Sequence, residues 1–352
     1  MKSVHVKQTK KIKIGNVYIG GDSEIAVQSM TNTDTRDVEA TVNQILLLEE
    51  AGCDIVRCAV PDMQAAEAIK DIMKCIHIPI VADIHFDYRL ALKSIENGIS
   101  KLRINPGNIG SVDKIKLVAD AAKEKGIPIR IGVNSGSLEK DILQKYGHVC
   151  AQALVESALR HVKILENLDF YDIVISIKSS DVPMMIESYK LLSDKVNYPL
   201  HLGVTEAGTT WRGTIKSSIG IGALLAQGIG DTIRVSLTGD VIDEVKVGIE
   251  ILKSLDYIND GIKFVSCPTC GRTQINLIKI ANEVEERLKY CNKNIKIAIM
   301  GCVVNGPGEA READIGIAGG KGVGLIFKKG EIIKTVKEEN LVEELIREID
   351  KL

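Results

Sequence analysis

Eight repeats of one strand-then-helix pattern constrain this chain more than any other feature. Each short run rich in Val and Ile is followed by a segment whose apolar residues have helical spacing, as in Val38, Val42 and Ile45. The strand-like runs are Ile25–Met30, Asp54–Ala59, Ile78–Ile84, Lys101–Asn105, Ile127–Val133, Asp172–Lys178, Leu200–Thr205 and Thr232–Leu237. This alternation predicts a parallel sheet with right-handed helical crossovers, and eight units in about 250 residues match a closed (β/α)8 barrel.

An open, doubly wound sheet is the alternative that the same alternation allows. It would be favoured by a G-x-G-x-x-G motif after the first strand, and no such motif follows Met30. Ahead of the repeats, Lys10–Gly21 is predicted to form two short strands around Gly15. The first domain, residues 1–258, is therefore predicted to be an α/β fold of the TIM-barrel type.

The residues after the last barrel helix predict a second, smaller domain. A linker is expected at Asp256–Lys263, and the elements beyond it no longer follow the barrel repeat. They are a helix at Gln274–Tyr290, strands at Ile295–Met300, Asp314–Ala318 and Gly322–Phe327, and a terminal helix at Lys337–Asp350. We expect residues 259–352 to form a compact α+β domain.

Composition and charge exclude several classes of partner. Aromatic residues make up only 4% of the chain and the formal net charge is −2. Neither base stacking with single-stranded nucleic acid nor a general polyanion-binding surface is therefore expected. The sequence shows no signal-peptide core and no apolar run long enough to span a membrane, which predicts a cytoplasmic protein.

Polar side chains interrupt each predicted barrel strand near its C-terminal end, where barrels of this type place their active sites. A strand buried on both faces is ordinarily a nearly continuous apolar run, so these residues stand out. They are Gln28, Arg57, Asp83, His85, Arg103, Asn105, Arg130, Asn134, Lys178, Glu206, Arg234 and Ser236. We expect them to meet at one mouth of the barrel.

Cations outnumber carboxylates in this predicted ring. Four Arg and one Lys face only Asp83 and Glu206, and a multiply charged anion such as a diphosphate would balance the excess. Arginine suits that ligand because its planar fork binds phosphate oxygens in pairs, and the loop from Asn134 to Ser137 offers backbone N–H groups. The alternative is that each arginine pairs with a neighbouring carboxylate at the barrel rim.

Two side chains in the ring are candidates for proton transfer. His85 follows Asp83 by two residues, so both can point to the same side of the strand, and His85 is either a proton shuttle or a structural residue. Glu206 is the preferred acid–base residue, because an anion-rich site raises the pKa of a carboxyl group.

The chain has eight cysteines, which a reducing cytosol would keep as free thiols. Cys53, Cys58 and Cys75 lie in apolar segments and are interpreted as small, buried core residues. The cysteines of the smaller domain have a different pattern.

Cys267 and Cys270 form a C-x-x-C motif, and Cys302 follows thirty-two residues later. A zinc ribbon would need a second C-x-x-C, whereas three thiolates with a different fourth ligand suit an iron–sulfur cluster that keeps one iron accessible. Glu309, seven residues beyond Cys302, is the preferred fourth ligand, and Cys291 is its rival. From spacing alone, zinc remains an alternative metal.

Eight distinctive motifs follow one another along the whole chain. They are V-Q-S-M-T-N-T-D-T-R-D from Val27, V-A-D-I-H-F from Val81, L-R-I-N-P-G-N-I-G from Leu102, R-I-G-V-N-S-G-S-L from Arg130, S-I-K-S-S from Ser176, H-L-G-V-T-E-A-G from His201, C-P-T-C-G-R-T from Cys267 and M-G-C-V-V-N-G-P-G-E from Met300. In order and without a gap, these motifs resemble those of the family of 4-hydroxy-3-methylbut-2-en-1-yl diphosphate synthases, which act in the methylerythritol phosphate route to isoprenoids.

This resemblance implies a fold and a reaction. The fold is a TIM barrel followed by a ferredoxin-like, sulfite-reductase-like iron–sulfur domain, in the two-domain bacterial form. The reaction is the two-electron reductive opening and dehydration of 2-C-methyl-D-erythritol 2,4-cyclodiphosphate. Flavodoxin or ferredoxin is implied as electron donor, and a head-to-tail homodimer as the assembly.

The resemblance also implies roles for individual residues. Cys267, Cys270, Cys302 and Glu309 match the ligands of a [4Fe–4S] cluster, and Asp83, His85 and Glu206 match positions near the reacting part of the substrate. The diphosphate-binding set is matched by Arg57, Arg103, Asn105, Arg130, Asn134, Lys178, Arg234 and Ser236.

Two other classes of protein remain as alternatives. One is a non-redox barrel transferase, handling a pterin or a phosphate, with a structural zinc knuckle. The other is a non-catalytic iron–sulfur sensor, which would have no need of a ring of polar strand ends.

Overall fold

The structure is a computed structural model that describes residues 7–259, 261–289, 291, 293–303 and 311–352. The chain separates into two compact units, Met1–Tyr257 and Ile258–Leu352. Each unit has a sheet and a hydrophobic core of its own. Within the described residues, no helix combines the length and the apolar character needed to cross a bilayer.

The first unit is a barrel of eight parallel strands. They are β3 (Ala26–Met30), β4 (Ile55–Ala59), β5 (Ile80–Asp83), β6 (Lys101–Ile104), β7 (Ile129–Asn134), β8 (Ile173–Lys178), β9 (His201–Leu202) and β10 (Thr232–Ile233). Their hydrogen-bonded order is β8-β7-β6-β5-β4-β3-β10-β9, and a parallel bridge between Ile175 and Leu200 joins the two ends of that series. The predicted barrel is confirmed, and the open sheet is not observed.

Helices follow the strands on the outside of the barrel. They are α1 (Val38–Glu50), α2 (Met63–Ile72), α3 (Tyr88–Glu96), α4 (Pro106–Ile109), α5 (Val112–Lys125), α6 (Lys140–Tyr146), α7 (Ala151–Glu166), α8 (Val182–Ser193), α9 (Thr210–Leu225) and α10 (Val241–Ser254). Aspartates accept backbone N–H groups at the starts of five of them: Asp37, Asp62, Asp87, Asp181 and Asp240. These caps fix where each loop at the C-terminal mouth turns into its helix.

The last two barrel strands are shorter than predicted, because the chain leaves the ladder soon after Leu202 and Ile233. The Arg234 N–H still donates to the Leu202 carbonyl at 2.9 Å, but the chain then turns at Glu206, whose φ of 53° lies in the left-handed region. Gly203 permits the close approach here, since a Cβ on it would lie 2.7 Å from the carbonyl oxygen of Arg234. The loops of β9 and β10 therefore begin inside the mouth.

A hairpin closes the opposite end of the barrel. Strands β1 (Ile12–Ile14) and β2 (Val17–Ile19) pair antiparallel around Gly15, as predicted. Their isoleucines pack against residues of the barrel strands, including Ile55 and Val81. With this end covered by apolar side chains, the C-terminal mouth is the accessible end of the barrel interior.

The second unit is an α+β domain with a five-stranded mixed sheet. Its strands are β11 (Lys263–Ser266), β12 (Lys296–Met300), β13 (Ile315–Gly319), β14 (Val323–Lys328) and β15 (Glu331–Lys337), and its helices are α11 (Leu277–Arg287) and α12 (Leu341–Asp350). Strands β11, β12 and β13 run parallel, whereas β14 and β15 are antiparallel to their neighbours. Strands β11 and β15 were not predicted, because one begins in the expected linker and the other has almost no buried face.

One prediction about the cysteines is wrong. Cys53 and Cys58 are buried, but Cys75 is exposed. The apolar run that contains Cys75 is divided by the end of α2, and Cys75 lies in the turn after that helix. All eight cysteines have free thiols.

Candidate active site

The strand register brings the predicted cations together at the mouth. Arg103 on β6 is directly opposite Arg130 on β7, and Asn134 on β7 is opposite Lys178 on β8. Arg57, Arg103 and Arg130 are all buried. Gly132 makes room for this packing, since a Cβ on it would lie 2.8 Å from the Arg103 Nε atom. The predicted ring of strand ends therefore exists as a packed cluster.

Asp83 neutralises part of this cluster. Its Oδ1 accepts a hydrogen bond from Arg103 Nη1 at 3.1 Å, and its Oδ2 lies 3.7 Å from both Arg57 Nε and His85 Nε2. Burial alone would raise the pKa of this carboxyl group, but the hydrogen bond with His85 and the charges of Arg57 and Arg103 outweigh it and lower the pKa. Asp83 is thus held as a carboxylate beneath the exposed His85 ring.

A second buried carboxylate, Glu244 on α10, was not predicted. Its Oε2 lies 3.8 Å from Arg234 Nη2, and its Oε1 accepts the Leu237 N–H at 2.9 Å. Ser29 Oγ on β3 donates to the same carboxylate at 3.3 Å. Glu244 therefore connects α10 with strand β3 and with the loop after β10.

Arg130 has no such partner. Its side chain is fully buried, and Nε, Nη1 and Nη2 all lack a protein hydrogen-bond acceptor among the described residues. The Nε atoms of Arg103 and Arg234 are also unpartnered. A buried guanidinium is tolerated only when an anion is present to accept its hydrogen bonds. Ion pairs with neighbouring carboxylates therefore explain the burial of Arg57, Arg103 and Arg234 in part. They do not explain the burial of Arg130.

Lys178, one of the cations predicted from the sequence, has a strongly lowered pKa. Burial, followed by the charges of Arg57, Arg103 and Arg130, lowers its pKa to about 6. Its ammonium group makes no ion pair within the described part of the chain. At neutral pH in the absence of an anion, this side chain is therefore mostly an uncharged amine.

A deeper polar layer lies below the ring, and the sequence did not reveal it. The Lys101 Nζ atom donates to Gln28 Oε1 at 3.4 Å, and both residues are buried. His201, to which no role was assigned from the sequence, is buried with its Nδ1 atom 2.7 Å from Thr232 Oγ1. Burial, together with the nearby Arg130 charge, keeps the pKa of His201 below its usual value, so its imidazole is neutral.

The mouth contains a narrow recess. Side chains from β4, β8, β9 and the loop after β10 line it, and they include Arg57, Ser176, Lys178, His201, Arg234 and Ser236. With Lys101, Arg103 and Arg130, six cationic side chains belong to this centre, against the two carboxylates Asp83 and Glu244. The arrangement is suited to binding an anion of more than one charge.

The remaining predicted residues lie around this recess. Asn105 is buried and its Oδ1 accepts the Gly107 N–H at 3.2 Å, so it caps α4. Asn134 is half-buried at the end of β7. Glu206 is exposed in the loop after β9, in the turn with positive φ.

The second unit brings two cysteine segments side by side. Cys267 follows β11 and Cys302 follows β12, and these two strands are paired in parallel. The Cys267 Sγ atom accepts the Gly301 N–H at 3.1 Å, and the Gln274 N–H donates to the Gly301 carbonyl. The segment between Cys267 and Gln274, which contains Cys270, therefore lies against the residue that precedes Cys302.

The donor set fits a thiolate-bound iron–sulfur centre. An N–H group donating to sulfur, as Gly301 does to Cys267, is a common way of stabilising cluster thiolates. Glu309 lies outside the described residues, and among those described no three His, Cys, Asp or Glu side chains are grouped closely enough to hold a metal. Cys291 follows the far end of α11, about 15 Å along the helix from the Cys302 segment, which does not favour it as a ligand.

A TIM-type barrel with a buried cluster of under-neutralised arginines, followed by a separate domain with converging cysteine segments, is typical of an enzyme that acts on anionic substrates. The chain belongs to the GcpE family. The GcpE TIM-barrel domain matches residues 9–249, and the GcpE protein C-terminal domain matches residues 263–351. The resemblance stated from the motifs is thereby confirmed.

Close relatives cover nearly the whole chain. One from Clostridium acetobutylicum is 73% identical and covers 98% of this chain and 99% of its own length. One from Clostridium perfringens is 74% identical with the same coverage, and one from Geobacter sulfurreducens is 60% identical, covering 98% of both chains. All three are named 4-hydroxy-3-methylbut-2-en-1-yl diphosphate synthase (flavodoxin). These relatives do not favour the transferase alternative.

Solved structures of low sequence identity share the barrel. Dihydropteroate synthase from Stenotrophomonas maltophilia is 15% identical, with a TM-score of 0.52, and covers 70% of this chain and 98% of its own. N-acetylneuraminic acid synthetase from Leptospira borgpetersenii is 14% identical, with a TM-score of 0.50, and covers 82% of this chain and 100% of its own. At this level of identity the likeness shows the fold alone.

Proposed function

We propose that this chain converts 2-C-methyl-D-erythritol 2,4-cyclodiphosphate into (E)-4-hydroxy-3-methylbut-2-enyl diphosphate, by reductive ring opening with loss of water, in isoprenoid biosynthesis. The observation that carries the proposal is Arg130, a buried guanidinium with three unpartnered nitrogens. A diphosphate supplies the acceptors that it lacks. The relatives' name specifies a diphosphate as the product of the same reaction class.

The barrel residues bind and orient the diphosphate. Arg130 and the free Nε atoms of Arg103 and Arg234 donate to its oxygens, and Arg57 adds charge while held by Asp83. The polar set proposed to contact the substrate comprises Arg57, Arg103, Asn105, Arg130, Asn134, Lys178, Arg234 and Ser236. Fixed donors of this kind keep the diphosphate in place while the ring C–O bond breaks.

The smaller unit is proposed to hold a [4Fe–4S] cluster. Cys267, Cys270 and Cys302 would supply thiolates, and Glu309 the fourth, exchangeable ligand. When bound, the cluster supplies single electrons and Lewis acidity. The Gly301 N–H stabilises the Cys267 thiolate. Burial of the Cys302 segment limits the access of water to its sulfur.

Proton transfer is assigned to groups at the rim. Glu206 is the proposed proton donor to the departing hydroxyl, because it is an exposed carboxyl group on the loop that borders the recess. His85 lies within 3.7 Å of Asp83 and is the second candidate. A Glu206→Gln variant that keeps its cluster and turns over normally would exclude the first assignment.

The reductant is proposed to be flavodoxin, which appears in the relatives' name, with a ferredoxin as the other one-electron carrier. We also propose a head-to-tail homodimer in which each barrel works with the cysteine domain of the other chain. Mixing an Arg130→Met variant with a Cys302→Ala variant tests this arrangement. Random exchange restores activity to about a quarter of the sites if the two domains act between chains, and restores none if they act within one chain.

The deciding experiment is anaerobic turnover of the cyclic diphosphate with reduced flavodoxin or an artificial reductant, followed by identification of the product. Iron and sulfide are measured in the same preparation. Formation of the open diphosphate by a protein that contains iron and sulfide supports the proposal. Zinc without sulfide, or a cyclic diphosphate recovered unchanged, contradicts it and restores the transferase alternative.

A further inference from the structure

We infer that Glu244, which lies on helix α10 and not at a strand end, is a positioning residue. It orients Arg234 and the Ser236 loop toward the diphosphate. The inference rests on the proposed function, in which Arg234 and Ser236 contact that group. It concerns a carboxylate that does not itself touch the substrate but determines how two ligands of the substrate are held.

The contacts of Glu244 reach strand β3 and two points of the loop after β10. Its Oε1 accepts the Leu237 N–H at 2.9 Å, directly after Ser236. Its Oε2 lies 3.8 Å from Arg234 Nη2 and accepts the Ser29 hydroxyl at 3.3 Å. One carboxylate therefore links the first turn of α10 to β3 and to the loop that bears both Arg234 and Ser236.

The burial of Glu244 indicates that this linkage is specific. The residue is 5% exposed, and a buried carboxylate is costly unless its oxygens are occupied by donors. Both oxygens are used, but Arg234 is left with Nε unpartnered. Glu244 thus attracts Arg234 at Nη2, while Nε on the same edge of the guanidinium stays available for a ligand acceptor.

Charge interactions link Glu244 to the arginines around it. Burial raises the pKa of Glu244, and the positive charges of Arg234 and Arg57 oppose that shift. Burial lowers the pKa of Arg234, and the negative charges of Glu244 and Asp83 oppose that shift. Without the Glu244 charge, only Asp83 would offset the repulsion between Arg234 and Arg57. Repulsion would then move the Arg234 fork away from its present direction.

The test compares Glu244→Gln, which removes the charge, with Glu244→Asp, which keeps the charge on a shorter side chain. Glu250→Gln, an exposed position on the same helix, is the matched control. We expect Glu244→Gln to raise KM about tenfold or more while kcat changes by less than a factor of three, because ground-state and transition-state contacts to the diphosphate are weakened alike. Glu244→Asp should recover a substantial part of the affinity, and Glu250→Gln should equal the parent protein.

Two further measurements separate positioning from mere structural support. Titration with inorganic pyrophosphate by calorimetry reports the affinity without turnover, and the melting temperature reports folding. In a cycle with Arg234→Gln, the Glu244→Gln change should weaken pyrophosphate binding little further, since the glutamine oxygen still accepts the Leu237 N–H and the lost charge acts through Arg234. A full additional loss in that background, or an unchanged pyrophosphate affinity in a folded Glu244→Gln protein, overturns the inference.

These readouts are independent of the proposed reaction. If the parent protein binds pyrophosphate in a Glu244-dependent manner but does not open the cyclic diphosphate, the proposed function fails and the positioning role stands. If Glu244→Gln does not fold, the affinity of Glu244→Asp decides, because loss of the Leu237 contact with the charge retained still predicts weaker binding than in the parent protein.

Discussion

Replacement of Arg130 by methionine should make the ligand-free protein more stable and at the same time nearly unable to bind a diphosphate. Arg130 is fully buried on β7 and none of its three nitrogens has a protein acceptor. Methionine keeps an unbranched apolar stem and removes the polar fork. The two effects have opposite signs because the guanidinium is satisfied by the ligand and not by the protein.

The magnitude follows from the unpartnered groups. Burying a polar group without a partner costs about 1–3 kcal/mol, so three nitrogens at the lower end cost about 3 kcal/mol. Methionine is smaller than arginine and leaves a void, and the cost of that void offsets part of the gain of about 3 kcal/mol. The net increase in the free energy of unfolding is about 2 kcal/mol. For a barrel of this size the gain corresponds to a rise in the melting temperature of about 4–8 °C.

The loss of affinity is expected to be larger than the gain in stability. Hydrogen bonds to a charged partner contribute about 1.5–3 kcal/mol, and removing them weakens pyrophosphate binding about 100-fold. Differential scanning calorimetry of the ligand-free protein gives the first quantity, and isothermal titration with pyrophosphate gives the second. Arg89→Met is the control, because Arg89 is an exposed arginine paired with Asp87 on α3; neither quantity should change.

Either of two results would refute this reasoning. A lower melting temperature for Arg130→Met would show that the guanidinium stabilises the ligand-free barrel, against the account of its nitrogens as unsatisfied. An unchanged pyrophosphate affinity would show that the anion binds elsewhere. If the ligand and not the protein satisfies Arg130, the melting temperature rises and the pyrophosphate affinity falls in the same variant.

Four further predictions concern three single residues. Binding of pyrophosphate at pH 7.5 should take up close to one proton, because an anion raises the pKa of Lys178 from about 6, and Lys178→Gln should abolish that uptake in calorimetry with buffers of different ionisation enthalpy. Since the folded-state pKa of Lys178 lies below its unfolded value, the ligand-free protein should gain stability as the pH rises through 6 and above, a trend absent in the same variant. Cys302→Ala should lose the iron, the sulfide and the visible absorption of the cluster while the barrel melts unchanged; a native spectrum would exclude Cys302 as a ligand. Gly203→Ala should lower the melting temperature by several degrees, because its Cβ would lie 2.7 Å from the Arg234 carbonyl oxygen, and equal melting would show that this backbone can move.

The barrel could be predicted from the sequence because buried parallel strands are short apolar runs that stand out between helices. The same rule extended the last two strands too far. Leu202 and Ile233 are followed by further apolar residues, but these belong to loops that turn into the mouth, where the positive φ of Glu206 ends the ladder. Strand β15 was missed for the opposite reason, since its side chains are almost all exposed and show no alternation.

The arginines of the centre were predictable because a charged residue inside an apolar strand is unusual. Lys101 and Glu244 escaped detection because each occupies a position where its charge is ordinary. Lys101 begins its strand, where polar residues usually mark the exposed start, and Glu244 lies in the first turn of α10, where a carboxylate favours the helix dipole. Only the three-dimensional packing shows that the Lys101 side chain reaches Gln28 and that the Glu244 side chain reaches Arg234.

Charge balance connects the structure with the proposed reaction. Six cationic side chains face two buried carboxylates, so the empty centre is stable only with its lysines largely uncharged, as the lowered pKa values of Lys101 and Lys178 indicate. A cyclic diphosphate carries one negative charge on each phosphate, and with those lysines neutral its two charges offset the remaining excess. When the ring C–O bond breaks, its ester oxygen stays on phosphorus, and the diphosphate gains one negative charge. Lys178 can offset that added charge by binding a proton. Because burial keeps Lys178 neutral before ring opening, the net charge of the centre with its ligand is similar for substrate and for product.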